Sequence, residues 1–225
     1  MKDTLLEFRL STSLIETFID KKVKEELKRE ILFALSSFFS QTYRVLLIST
    51  SKQFTIVEAE VITTYVGLGS NLGDRAGNLL VALRGLMEAS FTVCKLSAIY
   101  ETAPFGIEDA ENHSPYLNMV AEIQIKSVSA SQMMARMLRI EYLLGRRDKN
   151  LQKPRTVDLD LLLYGDFKCD TEFLTVPHPR LHERKFVLVP LAEIAPHLVH
   201  PILNKTVQEL LQTVKDDSKV KRWRP

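Results

Sequence analysis

Two carboxylates stand two residues apart inside an otherwise apolar run, Val157-Asp158-Leu159-Asp160-Leu161-Leu162-Leu163-Tyr164. A strand alternates faces, so both acids point the same way, roughly 6 to 7 Å apart at Cα, while Leu159, Leu161 and Leu163 fill the opposite face. Two such anions repel each other unless a cation joins them. Oxygen-only ligands suit a hard divalent ion such as Mg²⁺, which takes one or two carboxylates and completes its shell with water and phosphate oxygens. Just upstream, Arg146, Arg147, Lys149, Lys153 and Arg155 place five cations within ten residues, against the single acid Asp148. Cations flanking a carboxylate-held metal are what a polyphosphate needs. The plainer alternative is a solvated loop leading into a strand whose acids cap a sheet edge.

The rest of the chain narrows the choice. Its 225 residues suffice for one domain plus an appendage, and 45% apolar content is ample for a core. A formal charge of +2 is too small to argue for nucleic acid in bulk. Cys94 and Cys169 are far apart with no CxxC pairing, which fits reduced thiols in a cytoplasmic protein. No apolar run approaches a membrane span. Asp3, Glu7 and Arg9 interrupt what a signal peptide would keep apolar.

From Tyr65 to Tyr164 the pattern reads as strand, helix, strand, strand, helix, strand. Tyr65 to Leu68 is a short strand running into the turn Gly69-Ser70-Asn71-Leu72-Gly73-Asp74. Asp74 can cap the first helix, where Leu79, Leu80, Leu83, Leu86 and Met87 recur at three and four. Val93 to Tyr100 and Leu117 to Ile125 alternate like antiparallel strands joined by a long loop, Thr102 to Pro115. Ser129 or Ser131 begins the second helix, and Gly145 ends it. The acid strand closes the unit. This order predicts an α+β, ferredoxin-like βαββαβ core with helices on one face of the sheet. Additions follow: a hairpin near Gly165, the turn Val176-Pro177-His178-Pro179, and helices near Val187 to Ile194 and Val207 to Val214.

Five motifs coincide in order: Gly69-Ser70-Asn71-Leu72; Tyr100-Glu101-Thr102 leading to Pro104 and Gly106; Tyr116-Leu117-Asn118; Pro154-Arg155 through Asp158 and Asp160; and Val176-Pro177-His178 followed by Arg184 and Phe186. With these, residues 63 to 225 resemble the 6-hydroxymethyl-7,8-dihydropterin pyrophosphokinases of folate biosynthesis. The resemblance implies Mg²⁺-dependent transfer of a pyrophosphoryl group from ATP to the pterin hydroxymethyl oxygen, with AMP released. It implies that Asp158 and Asp160 hold the metal, and that Arg146 and Arg155 join them in catalysis. Glu141, Arg146, Arg155, His178 and Arg184 match nucleotide positions, and Thr102, Pro104, Tyr116, Asn118 and Phe186 match the pterin site. The absence of a Walker sequence after Gly69 agrees, since phosphates must then be held by side chains and metal.

Several of these residues also have ordinary readings. Unaided by the resemblance, Phe186 reads as core, Tyr116 as interior or ligand-facing, and Glu141 as an exposed helix acid. Asn118 is different, because an amide on an apolar strand must find partners. His178 and His182 have the spacing of helical metal ligands, but Pro179 between them argues against a helix and a zinc site. His113, His197 and His200 read as surface or packing residues. A nucleotidyltransferase releasing pyrophosphate, an RNA-binding sheet and a small-molecule regulatory domain are rival functions. Leu117 to Ile125 lacks the aromatics an RNA-binding sheet displays.

The chain departs from the family in two places. The loop from Arg146 to Lys153 lacks the Trp usual there, and Leu138 stands where a polar nucleotide contact is common. Residues 1 to 62 fall outside the resemblance and form a helix-plus-strands extension. Ser13-Leu14-Ile15-Glu16 suggests a capping box, and Leu14, Phe18, Val23, Leu27, Ile31, Leu35 and Phe38 form an apolar stripe on a long helix. Tyr43 to Ser49 and Phe54 to Val61 read as a strand pair. That stripe calls for packing on the kinase domain or self-association. In some organisms the kinase follows a dihydroneopterin aldolase, and the extension is comparable to the tail half of one, although it is too short for the whole enzyme and shows no clear catalytic set.

Overall fold

In a computed structural model the chain divides into two units, residues 1–61 and 62–225. The structure describes residues 7–8, 43–44, 54–55, 57–58, 60–104, 114–146 and 154–224. In the first unit, β1 (Glu7–Phe8) pairs antiparallel with β3 (Phe54–Thr55), and β2 (Tyr43–Arg44) with β4 (Val57–Glu58). Of the expected pairing of Tyr43–Ser49 with Phe54–Val61, the structure describes Tyr43–Arg44 against Val57–Glu58, whereas Phe54–Thr55 pair with Glu7–Phe8. The expected helix from Leu14 to Phe38 lies outside them, as do Gly106, His113, Arg147, Lys149 and Lys153.

The second unit carries β5 (Val61–Ser70), α1 (Arg75–Glu88), β6 (Thr92–Leu96), β7 (Tyr100–Thr102), β8 (Tyr116–Lys126), α2 (Ala130–Leu143) and β9 (Asp158–Tyr164). Local chemistry sets the helix ends. The Asp74 carboxylate accepts from the Gly77 amide at 2.9 Å, and Leu79, Ala82, Leu83 and Leu86 give α1 a buried face. Of the two candidate serines it is Ser129 that starts α2, in a reciprocal capping box with Gln132. Gly145, at φ +94°, turns the chain out of the helix as only glycine does easily.

The expected strand from Val93 to Tyr100 is broken into β6 and β7. Ser97 causes the break: its hydroxyl accepts the Val120 amide proton at 2.9 Å, taking the place of a backbone carbonyl. The sheet runs β12 (Val220–Arg222), β7, β8, β5, β9, with β6 also against β8. Counting β6 and β7 as one strand, the core order is fourth, first, third, second. The short, polar edge strand β12 was not foreseen.

The two core helices lie on one face of the sheet, as the sequence reading placed them, and the helices that follow the core cover the other. On one face α1 and α2 pack against Val66, Leu68, Leu117, Met119, Leu159 and Leu161. On the other, α3 (Lys185–Ile194) and α4 (Val207–Thr213) pack against Tyr65, Val120, Leu162 and Leu163. Leu163 is thus not on the face of Leu159 and Leu161. The cause is a β-bulge: Tyr65 pairs with Leu163 but Val66 pairs with Leu161, so Leu162 is an extra residue and the alternation shifts. Beyond β9 the chain reverses at Gly165 into the hairpin β10 (Cys169–Asp170) and β11 (Thr175–Val176). No helix among the described residues is long and apolar enough to cross a membrane.

Candidate active site

The register of β5 and β9 builds the floor of the site. Asp158 stands opposite Gly69 and Asp160 opposite Gly67, ahead of the bulge, so the acids share a face as alternation requires. The two glycines belong to the strand, not to the turn that the sequence suggested for Gly69. They leave the middle of the floor without side chains. A methyl group on Gly69 would come within 3.1 Å of Asn118 Oδ1 on β8, and one on Gly67 within 3.6 Å of Leu162. The result is a cleft of about 240 Å³ with the acids on one side and Asn118 on the other.

At the acid end, Arg146 donates to Glu141 Oε1 at 2.8 Å and to Asp158 Oδ1, while Arg155 donates to Asp158 Oδ2 at 2.7 Å. Arg184 Nη1 lies 3.7 Å from Asp160 Oδ2. Burial weakens the charge of Arg146, but Asp158 and Glu141 outweigh it and hold its pKa above the ordinary arginine value. Arg184 moves the other way: burial lowers its pKa, against the pull of Asp160. The Nε atoms of Arg155 and Arg184 are buried without a hydrogen-bond partner, so both guanidiniums keep donor capacity for an anion. Arg155 is fixed by Asn71, whose Oδ1 accepts its backbone N–H at 2.8 Å and whose own N–H donates to its carbonyl at 3.2 Å. Two half-buried carboxylates on one strand face, with oxygen donors only, suit Mg²⁺ with water and phosphate in the remaining positions.

Glu141 is not the exposed acid of the plain reading. It is 2% exposed, and its Oε1 also accepts from the Leu159 amide at 2.7 Å. It holds Arg146 and the strand between the two aspartates together from beneath.

At the other end, Asn118 Nδ2 donates to Thr102 Oγ1 at 2.8 Å, and both side chains are buried. That bond turns Asn118 Oδ1 toward Gly69 and the cleft. Tyr116 and Phe186 also line the cleft, with Arg184 5.7 Å from the Phe186 ring centre.

The cleft thus brings together Thr102, Tyr116, Asn118, Arg155, Asp158, Asp160, Arg184 and Phe186. Pro104, Glu141, Arg146 and His178 are not on its wall. The His178 amide donates to Leu162 O at 2.9 Å, and His178 Nδ1 accepts from the Arg180 amide at 3.2 Å. Arg180, Gly67 and Gly69 also line the cleft, although the sequence reading gave them no role there. The glycines had a readable signal, spacing by two within an apolar run; Arg180 had none.

A family model described as 7,8-dihydro-6-hydroxymethylpterin-pyrophosphokinase matches residues 65–196. Among relatives named 2-amino-4-hydroxy-6-hydroxymethyldihydropteridine pyrophosphokinase, that of Bacillus subtilis is 47% identical over 131 residues, covering 58% of this chain and 76% of the relative. The Haemophilus influenzae protein is 37% identical over 162 residues, covering 72% and 98%. A solved structure of Plasmodium falciparum HPPK-DHPS, wild type with pteroate, superposes with a TM-score of 0.55 at 17% identity, over 69% of this chain and 43% of that one. At that identity the likeness speaks for the fold, here a mixed helix and antiparallel-sheet architecture.

Proposed function

The chain belongs to the 7,8-dihydro-6-hydroxymethylpterin-pyrophosphokinase family, and on that premise we propose how its cleft performs the reaction. The enzyme transfers the pyrophosphoryl group of ATP to 6-hydroxymethyl-7,8-dihydropterin in folate biosynthesis. The hydroxymethyl oxygen attacks the β-phosphorus, and AMP departs.

Each end of the cleft takes one substrate. The pterin lies between Tyr116 and Phe186, with Asn118 Oδ1 accepting from its ring donors and Thr102 holding the amide in that orientation. The phosphates lie against Arg155 and Arg184, whose buried Nε atoms suit an anion. Asp158 and Asp160 would hold Mg²⁺, which supplies charge neutralisation to the phosphates. His178, beside Arg180, belongs with the nucleotide contacts, and Pro104, two residues past Thr102, with the pterin contacts. Arg146 and Glu141 act from below, keeping Asp158 in place. The sheet order fourth, first, third, second supports the ferredoxin-like plan.

The observation that carries this reading is the paired glycine floor, which puts the amide and the acids on two sides of one cleft. The test is incubation with ATP, Mg²⁺ and hydroxymethyl-dihydropterin, followed by chromatography of the nucleotides. AMP should form in step with pterin pyrophosphate. ADP, or free pyrophosphate as the primary product, would sink the proposal.

A further inference from the structure

We propose that Arg75, which does not line the cleft, is a positioning residue for its pterin end. The inference rests on the reading of that end as the pterin slot. Arg75 is the first residue of α1, and its Nη1 donates to Glu101 Oε1 and to the Pro115 carbonyl oxygen, both at 2.8 Å. Glu101 immediately precedes Thr102 and Pro115 immediately precedes Tyr116. Thr102 and Tyr116 face each other in the β7–β8 register, where the chain leaves the sheet and re-enters it.

A single nitrogen therefore ties three segments: the helix that follows the Gly69 strand, the end of β7, and the start of β8. The last two carry Thr102 and Tyr116 into the cleft, and the first follows the strand that carries Gly69. Thr102 in turn holds Asn118. A small outward movement of either strand end would shift Tyr116 in the slot it shares with Phe186 and slacken the Thr102–Asn118 bond. Among the described residues the side-chain hydrogen bonds of Arg75 itself reach Glu101 and Pro115 and none reaches β9, the strand of Asp158 and Asp160.

The exposure of the pair decides what it can do. The Arg75 and Glu101 side chains are 24% and 37% exposed, and ion pairs so open to water add little to global stability. What the contact can do is fix relative position, and reacting groups held even slightly out of place lose productive binding.

The experiment is steady-state kinetics of the full chain with each substrate varied in turn. Arg75→Ala should raise the KM for the pterin about three- to tenfold, with kcat and the KM for ATP changed less than about twofold. Its melting temperature should stay close to that of the unmodified protein. Glu101→Gln, which keeps the shape and removes the charge, should move the pterin KM in the same direction. The double variant Arg75→Ala/Glu101→Ala should be no worse than Arg75→Ala alone, since both remove one tie. An unchanged pterin KM in Arg75→Ala overturns the proposal, as does an equal loss for both substrates that tracks a fall in melting temperature. If Arg75→Ala does not fold, Glu101→Gln decides by the same criterion. An unmodified chain that makes no AMP from these substrates would instead sink the assigned reaction.

Discussion

The two ends of the cleft are built from opposite materials. At the acid end every named carboxylate meets an arginine: Asp158 meets Arg146 and Arg155, Asp160 meets Arg184, and Glu141 meets Arg146. At the amide end the central contact is between two neutral, buried groups, Asn118 and Thr102. Charge tolerates some change in distance because Coulomb energy falls slowly, whereas a neutral hydrogen bond weakens steeply with angle and length. Recognition at the acid end should therefore depend on which charges are present, and at the amide end on where atoms sit.

The most severe test removes a charge. Asp158→Ala or Asp160→Ala should lower kcat by at least about a hundredfold, because on the proposed reading the carboxylates would carry the cation as well as balance the arginines. A near-normal kcat with Mg²⁺ in either variant would break the comparison at its acid end. Next comes Glu141→Ala, which leaves the buried Leu159 amide without this acceptor and strips one anion from Arg146. It should cost about 2 to 3 kcal/mol of stability in denaturant melts. A loss within experimental error would mean that Glu141 is not a support.

Asn118→Ala tests geometry at the neutral end. Losing one correctly aimed acceptor should weaken pterin binding by about 1 to 3 kcal/mol with little effect on ATP. Calorimetry in the presence of a non-hydrolysable ATP analogue reads it, and unchanged pterin affinity would refute the assignment.

The smallest effect concerns a carboxylate that serves the amide end from outside. Asp216 Oδ2 accepts the amide proton of Lys185, the first residue of the helix bearing Phe186. Burial opposes ionisation of Asp216, but bonds from Ser218 and Lys185 prevail and hold its pKa below the ordinary 3.8. A depressed carboxyl stabilises the fold fully above the unfolded value, and that contribution is lost as pH falls through the folded value. The advantage of the unmodified chain over Asp216→Asn should therefore be present at neutral pH and shrink below about 3.8. An advantage that stays constant down to pH 2 would show that Asp216 acts by shape alone.

The acid end was largely legible in the sequence, because Asp158 and Asp160 precede the bulge and simple alternation places them correctly. Leu163, three residues beyond Asp160, was not, since the bulge arises from pairing with a strand about a hundred residues away. Glu141 shows a different limit. Its neighbours Met137 and Ile140 mark a buried face, but only the fold reveals that the Leu159 amide waits there as a donor. At the amide end Asn118 was legible as a buried amide needing partners, and its orientation was not, because Thr102 comes from another strand. The break at Ser97 depends likewise on Val120 across the sheet.

The glycine floor has a thermodynamic consequence. Gly67 and Gly69 leave the middle of the sheet face without side chains, and on the proposed seating substrate completes the interior there. A pterin seated there buries apolar ring surface as a core residue would, so its binding should carry the negative heat-capacity change of folding. Its concentration then raises the melting point by mass action.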